Sequence, residues 1–166
     1  IGTGTVRDLF LEYAQRPAAD LTEEDRAFLI RHFFAANWAT MVRPSPRYHE
    51  LLVKRGLDIQ GQDLPRLARR FSVQDCLDLQ VWHNLAWFGY GAVHRYPRLA
   101  ALRNKNRGFT EEEKQRALEA CLKILREIMP AYIRLQEQGV IEVSVSPYYH
   151  PILPLLYDTH FARRSL

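Results

Sequence analysis

Cysteine is scarce in this sequence: only Cys76 and Cys121 occur, far apart and each at an apolar phase of an expected helix. Two such residues make no disulfide scaffold, and the expectation is two buried free thiols in a reducing cytosol. No CxxC or HxxxH spacing joins the cysteines or the six histidines, so no zinc framework is expected and no other cofactor is called for. Long apolar runs are missing too. No window of about 18 uncharged apolar residues occurs and no charged-then-apolar leader opens the chain, so neither a membrane partner nor a signal peptide is expected. The chain starts at Ile1 without an initiator methionine and reads as a segment of a larger protein.

Lysine is the other shortage. Four lysines, Lys54, Lys105, Lys114 and Lys123, stand against nineteen arginines. A net charge of +4 and an isoelectric point near 9.2 raise the question of nucleic acid. The basic residues are scattered among acids, however, and the densest groups, Arg66–Arg69–Arg70 and Arg163–Arg164, are short. A solvated arginine-rich surface accounts for them, and no nucleic-acid partner is expected. What is abundant is ordinary for a folded domain: 47% apolar and 25% charged residues in 166 positions, enough for a sizeable core.

Most of the chain carries helical grammar. Val6, Leu9, Phe10 and Tyr13 give the spacing of a helix over residues 5–15, stopped by Pro17. Thr22 followed by Glu23, Glu24 and Asp25 is a strong helix start, and the apolar positions from Phe28 carry on to Trp38, with Pro44 and Pro46 as terminators. A short helix over 48–55 ends at Gly56, and 56–65 reads as a polar mobile connection. Ser72 with Asp75 forms a capping box for a helix that is apolar nearly all round, which places Trp82 and Trp87 in the core, until Gly89 and Gly91 end it. Thr110–Glu113 repeats the capping pattern. The long helix behind it is expected to kink or break at Pro130 and to stop at Gly139.

After Gly139 the period changes. Ile141, Val143 and Val145 alternate with Val140, Glu142, Ser144 and Ser146, the pattern of one β-strand, which Pro147 ends. A lone strand leaves main-chain groups unpaired at about 1 to 3 kcal/mol for each buried orphan. The only other candidate strand, residues 1–6, contains two glycines and suits a ladder poorly. The reading is therefore a mainly α chain with one β-strand, whose sheet partners lie in the remainder of a parent polypeptide.

The stretch "GVIEVSVSPYYHPILPLLYDT" resembles the second sequence region of glycoside hydrolase family 57, the alpha-amylase and amylopullulanase type. The upstream stretches "LTEEDRAFLIRHFFAANWATMVRPSPRYHELLVKRG", "DLQVWHNLAWFG" and "FTEEEKQRALEACLKILREIMP" are similar to the helical region before that strand. The resemblance implies a distorted, incomplete (β/α)7 barrel in the parent enzyme, with residues 1–138 as a helical region and 139–166 as a barrel strand and pocket-lining loop. It implies cleavage of alpha-glucans such as starch and pullulan with retention of configuration, through a glutamate nucleophile and an aspartate acid/base. The motifs bearing those carboxylates do not occur in this sequence, so no catalytic residue is expected in the segment. Retaining chemistry needs two carboxyl groups about 5 to 5.5 Å apart.

By the same resemblance Glu142 and His150 are substrate-binding residues, the first as a hydrogen-bond acceptor for sugar hydroxyls and the second as a donor. Glu142 also fits a structural partner of a barrel arginine, and His150 a loop histidine satisfied by backbone. Tyr148 and Tyr149 either stack on a sugar ring or pack the loop, and Trp82, Trp87 and Asn84 raise the same choice, with core the favoured reading for the tryptophans. Asp158 has no assigned role. Where the family often has glutamine after the glycine, this chain has Val140, which removes a polar contact. The alternatives from other classes are a non-catalytic helical interaction module and a basic helical nucleic-acid binder.

Overall fold

The computed structural model describes residues 7–144 together with 157, 158, 160 and 163. Its contacts divide the chain into two compact units, residues 1–125 and 126–166. In the first unit α1 (Leu9–Gln15), α2 (Glu23–His32), α3 (Pro46–Arg55), α4 (Leu64–Ala68), α5 (Val73–Leu85), α6 (Tyr90–Arg95) and α7 (Pro97–Lys105) follow one another. A 3-10 turn at Ala18–Asp20 and a π-helical turn at Trp38–Val42 join some of them, and α8 (Glu111–Glu137) begins there and runs on into the second unit.

The helix starts follow from side chains that satisfy the free amides of a first turn. Thr22 and Asp25 form a reciprocal capping box on α2, and Ser72 and Asp75 form another on α5. On α8, Thr110 Oγ1 accepts from the Glu113 amide at 3.2 Å while Glu113 Oε2 accepts from the Thr110 amide at 2.8 Å. Three starts expected from sequence are thus present. Pro46 differs from its expected role: it opens α3 in the first turn, where a missing amide costs nothing, and does not close the preceding segment. Likewise Asp63 caps a short helix α4 at the end of the connection expected to be mobile, and α4 packs on α2. The turn-like residues of 89–108 fold into α6 and α7, with Pro97 in the first turn of α7.

Helix α5 runs through the middle of the first unit, buried on nearly every face from Asp75 to Trp82. Against it pack Leu29 and Ile30 of α2, Leu51 and Leu52 of α3, Phe33, Phe71 and Phe109, all essentially without solvent contact. Each such side chain contributes about 1.5 to 3 kcal/mol of burial. Tyr48 stacks between Phe34 at 5.4 Å and Trp82 at 6.2 Å, and its hydroxyl donates to the Phe33 carbonyl. Cys76 is buried and free, its thiol pushed up to about 11 by burial; Cys121 is free and half-buried, so only one of the two expected buried thiols is enclosed.

Helix α8 continues through Pro130 without a break. The proline withholds one amide from the Arg126 carbonyl, but both residues are exposed and water supplies the missing donor. Gly139 then ends the helix as expected, at φ 68°, with the Val140 amide donating to the Leu135 carbonyl at 3.0 Å. The expected β-strand is not there: residues 141–144 are irregular, and no strand or sheet occurs among the described residues. The reason is the edge problem itself. Alternating Ile141, Glu142 and Val143 are compatible with a strand, but a ladder requires a second strand, and the described chain spends its backbone bonds within helices. Val145 and Ser146 lie outside the described residues.

Candidate functional site

Glu142 sits five residues past the end of α8, in irregular chain and exposed to solvent. No hydrogen bond or ion pair links it to another described residue. His150, Tyr148 and Tyr149 lie outside the described residues, so of the two expected substrate-binding residues the structure places Glu142 alone. Asp158 is half-buried, and its Oδ1 accepts from the His160 amide at 2.9 Å.

The best-ordered carboxylates of the chain are elsewhere. Arg47, in the first turn of α3, spreads its guanidinium over three acids: Nε to Asp78 at 2.8 Å, Nη2 to Asp75 at 2.6 Å and Nη1 to Glu50 at 2.5 Å. Lys54 adds a second cation at 2.7 Å from Asp75. Asp78 Oδ1 also accepts from the Phe109 amide and from Gln74. Burial raises the Asp75 carboxyl, but the bonds from Lys54, the Ser72 amide and Arg47 outweigh it and hold it at about 2. Two aspartates near one another invite a catalytic reading, and their bonding rules it out. Both are buried and saturated with donors, so neither has a free oxygen for substrate, and the group clamps α3, α5 and the entry to α8 together.

A second polar knot serves the same end. Lys114 of α8 is fully enclosed; its ammonium donates to the Arg16 carbonyl at 2.7 Å and to Gln80 Oε1 at 3.1 Å, and pairs with Glu111 at 2.7 Å. Gln80 in turn donates to the Tyr13 and Arg16 carbonyls at 2.6 and 2.9 Å. Burial lowers the Lys114 pKa, with Glu111 opposing it.

The main cleft of the first unit measures about 560 Å³ and is bounded by Thr40, Met41, Ser45, Trp82, Arg103 and Asn106. Its polar groups are largely engaged in holding the walls. Trp82 Nε1 donates to the Asn106 carbonyl at 2.7 Å, Asn106 Oδ1 accepts from the Arg47 amide at 3.2 Å, and Arg103 donates to the Leu85 and Phe88 carbonyls at 2.8 and 2.5 Å.

The tryptophans part company. Trp82 is buried as expected, whereas Trp87 is 62% exposed and Tyr90 84%. Helix α5 ends at Leu85, and the tight turn that follows, Trp87 amide to Asn84 carbonyl and Phe88 amide to Leu85 carbonyl, leaves the helical register, so Phe88 points inward and Trp87 outward. The nearby Gly89 and Gly91 were the sequence signal for that change. The Arg47 cluster had no such signal, since its members are 28 and 31 residues apart in the chain.

A family model described as Glycosyl hydrolase family 57 matches residues 46–164, which take in α3 to α8, Glu142 and His150. A match over that share of the sequence defines the class as glycoside hydrolase. The chain belongs to glycosyl hydrolase family 57. No curated protein and no solved structure matches it.

Proposed function

We propose that the chain is part of a retaining glycosidase acting on alpha-glucans such as starch or pullulan, of the amylase or amylopullulanase type, and that it supplies substrate-binding groups and no catalytic carboxylate. The observation that carries this reading is the family match running through Gly139–Val143, with Glu142 exposed and unengaged among the described residues. An ionised carboxylate in that state accepts hydrogen bonds from glucose hydroxyls without first giving up an internal partner. His150, the first residue of the HPIL stretch, is its proposed companion as a donor. The two reacting carboxylates belong to the remainder of the parent polypeptide.

The test is Glu142→Ala in the intact parent enzyme. Loss of a charged acceptor to sugar hydroxyls costs about 1.5 to 3 kcal/mol, a fall of roughly 10- to 150-fold in kcat/KM on starch. The melting midpoint stays put because no described residue depends on Glu142. Unchanged turnover removes Glu142 from the site.

A second reading is favoured by a different observation. Ile128, Met129, Tyr132, Ile133 and Leu135 of α8 are all exposed, an apolar content unusual for a solvated helix. It fits a helical interaction module that docks on a partner. A monodisperse, cooperatively melting monomer of this chain supports independence; aggregation or a molten state supports the enzyme segment.

A further inference from the structure

We infer that Trp87 and Tyr90 form an aromatic platform on the first unit that holds a chain of glucose units, a binding site additional to Glu142; its choice of ligand rests on the alpha-glucan reading above. The two are the most exposed aromatic side chains of residues 7–125. Large aromatic rings left in water forfeit the stabilisation that the rest of this aromatic-rich unit collects, and two of them three residues apart make a candidate binding surface. Three residues apart, their Cα atoms are within about 11 Å of one another, near enough for neighbouring rings of a single oligosaccharide.

The backbone around them keeps the surface clear. Gly89 and Gly91 flank Tyr90, and a Cβ built on either meets nothing within 4 Å. Neither glycine has a positive φ, so the fold does not demand glycine at these positions; their missing side chains leave open space on both sides of the tyrosine. Tyr90 occupies the first position of α6, a helix with no buried residue, and the edge of His94 one turn on meets its ring at 6.0 Å and 76°. Trp87 is fixed from below by the turn bonds to Asn84 and Leu85 and by Phe88, which is buried. An anchored backbone under solvent-exposed rings suits stacking on a flexible polymer, because little backbone freedom is lost on binding.

The ligand class follows from the chemistry of the faces. An aromatic face is apolar with a negative quadrupole, and it complements the C–H face of a pyranose, whose hydroxyls stay directed to water. In a member of a glycoside hydrolase family that partner is the polysaccharide itself.

The experiment is native affinity electrophoresis of the intact parent enzyme in gels containing soluble starch, galactomannan or no polysaccharide. Wild type is expected to be retarded by starch, a Trp87→Ala/Tyr90→Ala variant to bind at least about tenfold more weakly, and Trp87→Phe/Tyr90→Phe, which keeps both flat rings, to remain retarded. Equal melting midpoints of the variants establish that the fold is intact. A double-alanine variant retarded like wild type, or a wild type that starch does not slow, overturns the platform. Retardation by galactomannan and not by starch overturns its alpha-glucan assignment. The Glu142 reading fails in a separate assay, starch turnover by Glu142→Ala, so the two ideas are distinguishable.

Discussion

Residues 7–125 and residues 126–144 solve the same chemical problem in opposite ways. In the first region most large apolar side chains find cover, and charges taken inside with them, such as Arg47, Asp75, Asp78 and Lys114, are paired and hydrogen-bonded. In the second no described residue is buried, although Ile128, Met129, Tyr132 and Ile133 are as apolar as the core of the first. The difference teaches where the folding free energy is kept. Burial is the dominant favourable term, so the first region is stabilised by its own contacts, while the second has helix hydrogen bonds and little else. That supports the proposal that residues after Leu125 work with polypeptide beyond these positions.

The sharpest way to break this contrast is Arg47→Ala. It strands Asp75 and Asp78 in the interior, and a loss of about 3 to 5 kcal/mol in urea unfolding is expected. A loss below about 1 kcal/mol would mean that the cluster is an ornament of the surface and that the first region is held by apolar contacts alone.

Acid comes next. His83 lies between Phe33 at 4.2 Å and Phe10 at 5.8 Å, its Nδ1 buried without a partner, and burial lowers its pKa from 6.5 to about 4. The folded state thus resists a proton that the unfolded chain accepts. Between pH 6.5 and 4 the unfolded state binds more protons, so stability falls as pH drops through that window, by about 3 kcal/mol in all. Asp75, held near 2 against an ordinary 3.8, adds a further loss below pH 3.8. Unfolding curves at pH 7, 5.5 and 4.5 read the first effect, and His83→Asn is expected to flatten it. A slope unaltered by that substitution assigns the acid sensitivity to other groups.

The smallest effect sharpens the comparison from the other side. Met129→Ser, at a side chain 66% exposed, is expected to shift the unfolding free energy by less than about 0.5 kcal/mol. A core-like penalty there would show that the stripe on α8 is covered in solution.

Much of the helical layout was legible because its signals are local. Thr22–Asp25, Ser72–Asp75 and Thr110–Glu113 close capping boxes over three residues, and Gly139 ends α8 by its own backbone conformation. Where proline has two local meanings, reading failed: Pro46 begins α3, although it was expected to end the preceding segment. For the candidate site, the strand expected to carry Glu142 was misread, since an alternating pattern states a preference for a ladder and cannot provide the neighbouring strand.

By itself, then, the sequence determined most helix starts and the family, which depend on groups a few residues apart or on a contiguous motif, while the strand expected after Gly139 is absent among the described residues. Tertiary structure alone decided that Arg47 gathers Asp75 and Asp78, that Lys114 is enclosed by Arg16 and Gln80, and that Trp87 faces water while Trp82 does not. Those outcomes depend on which surfaces meet after the chain has turned back on itself, and burial, unlike capping, is a property of that meeting.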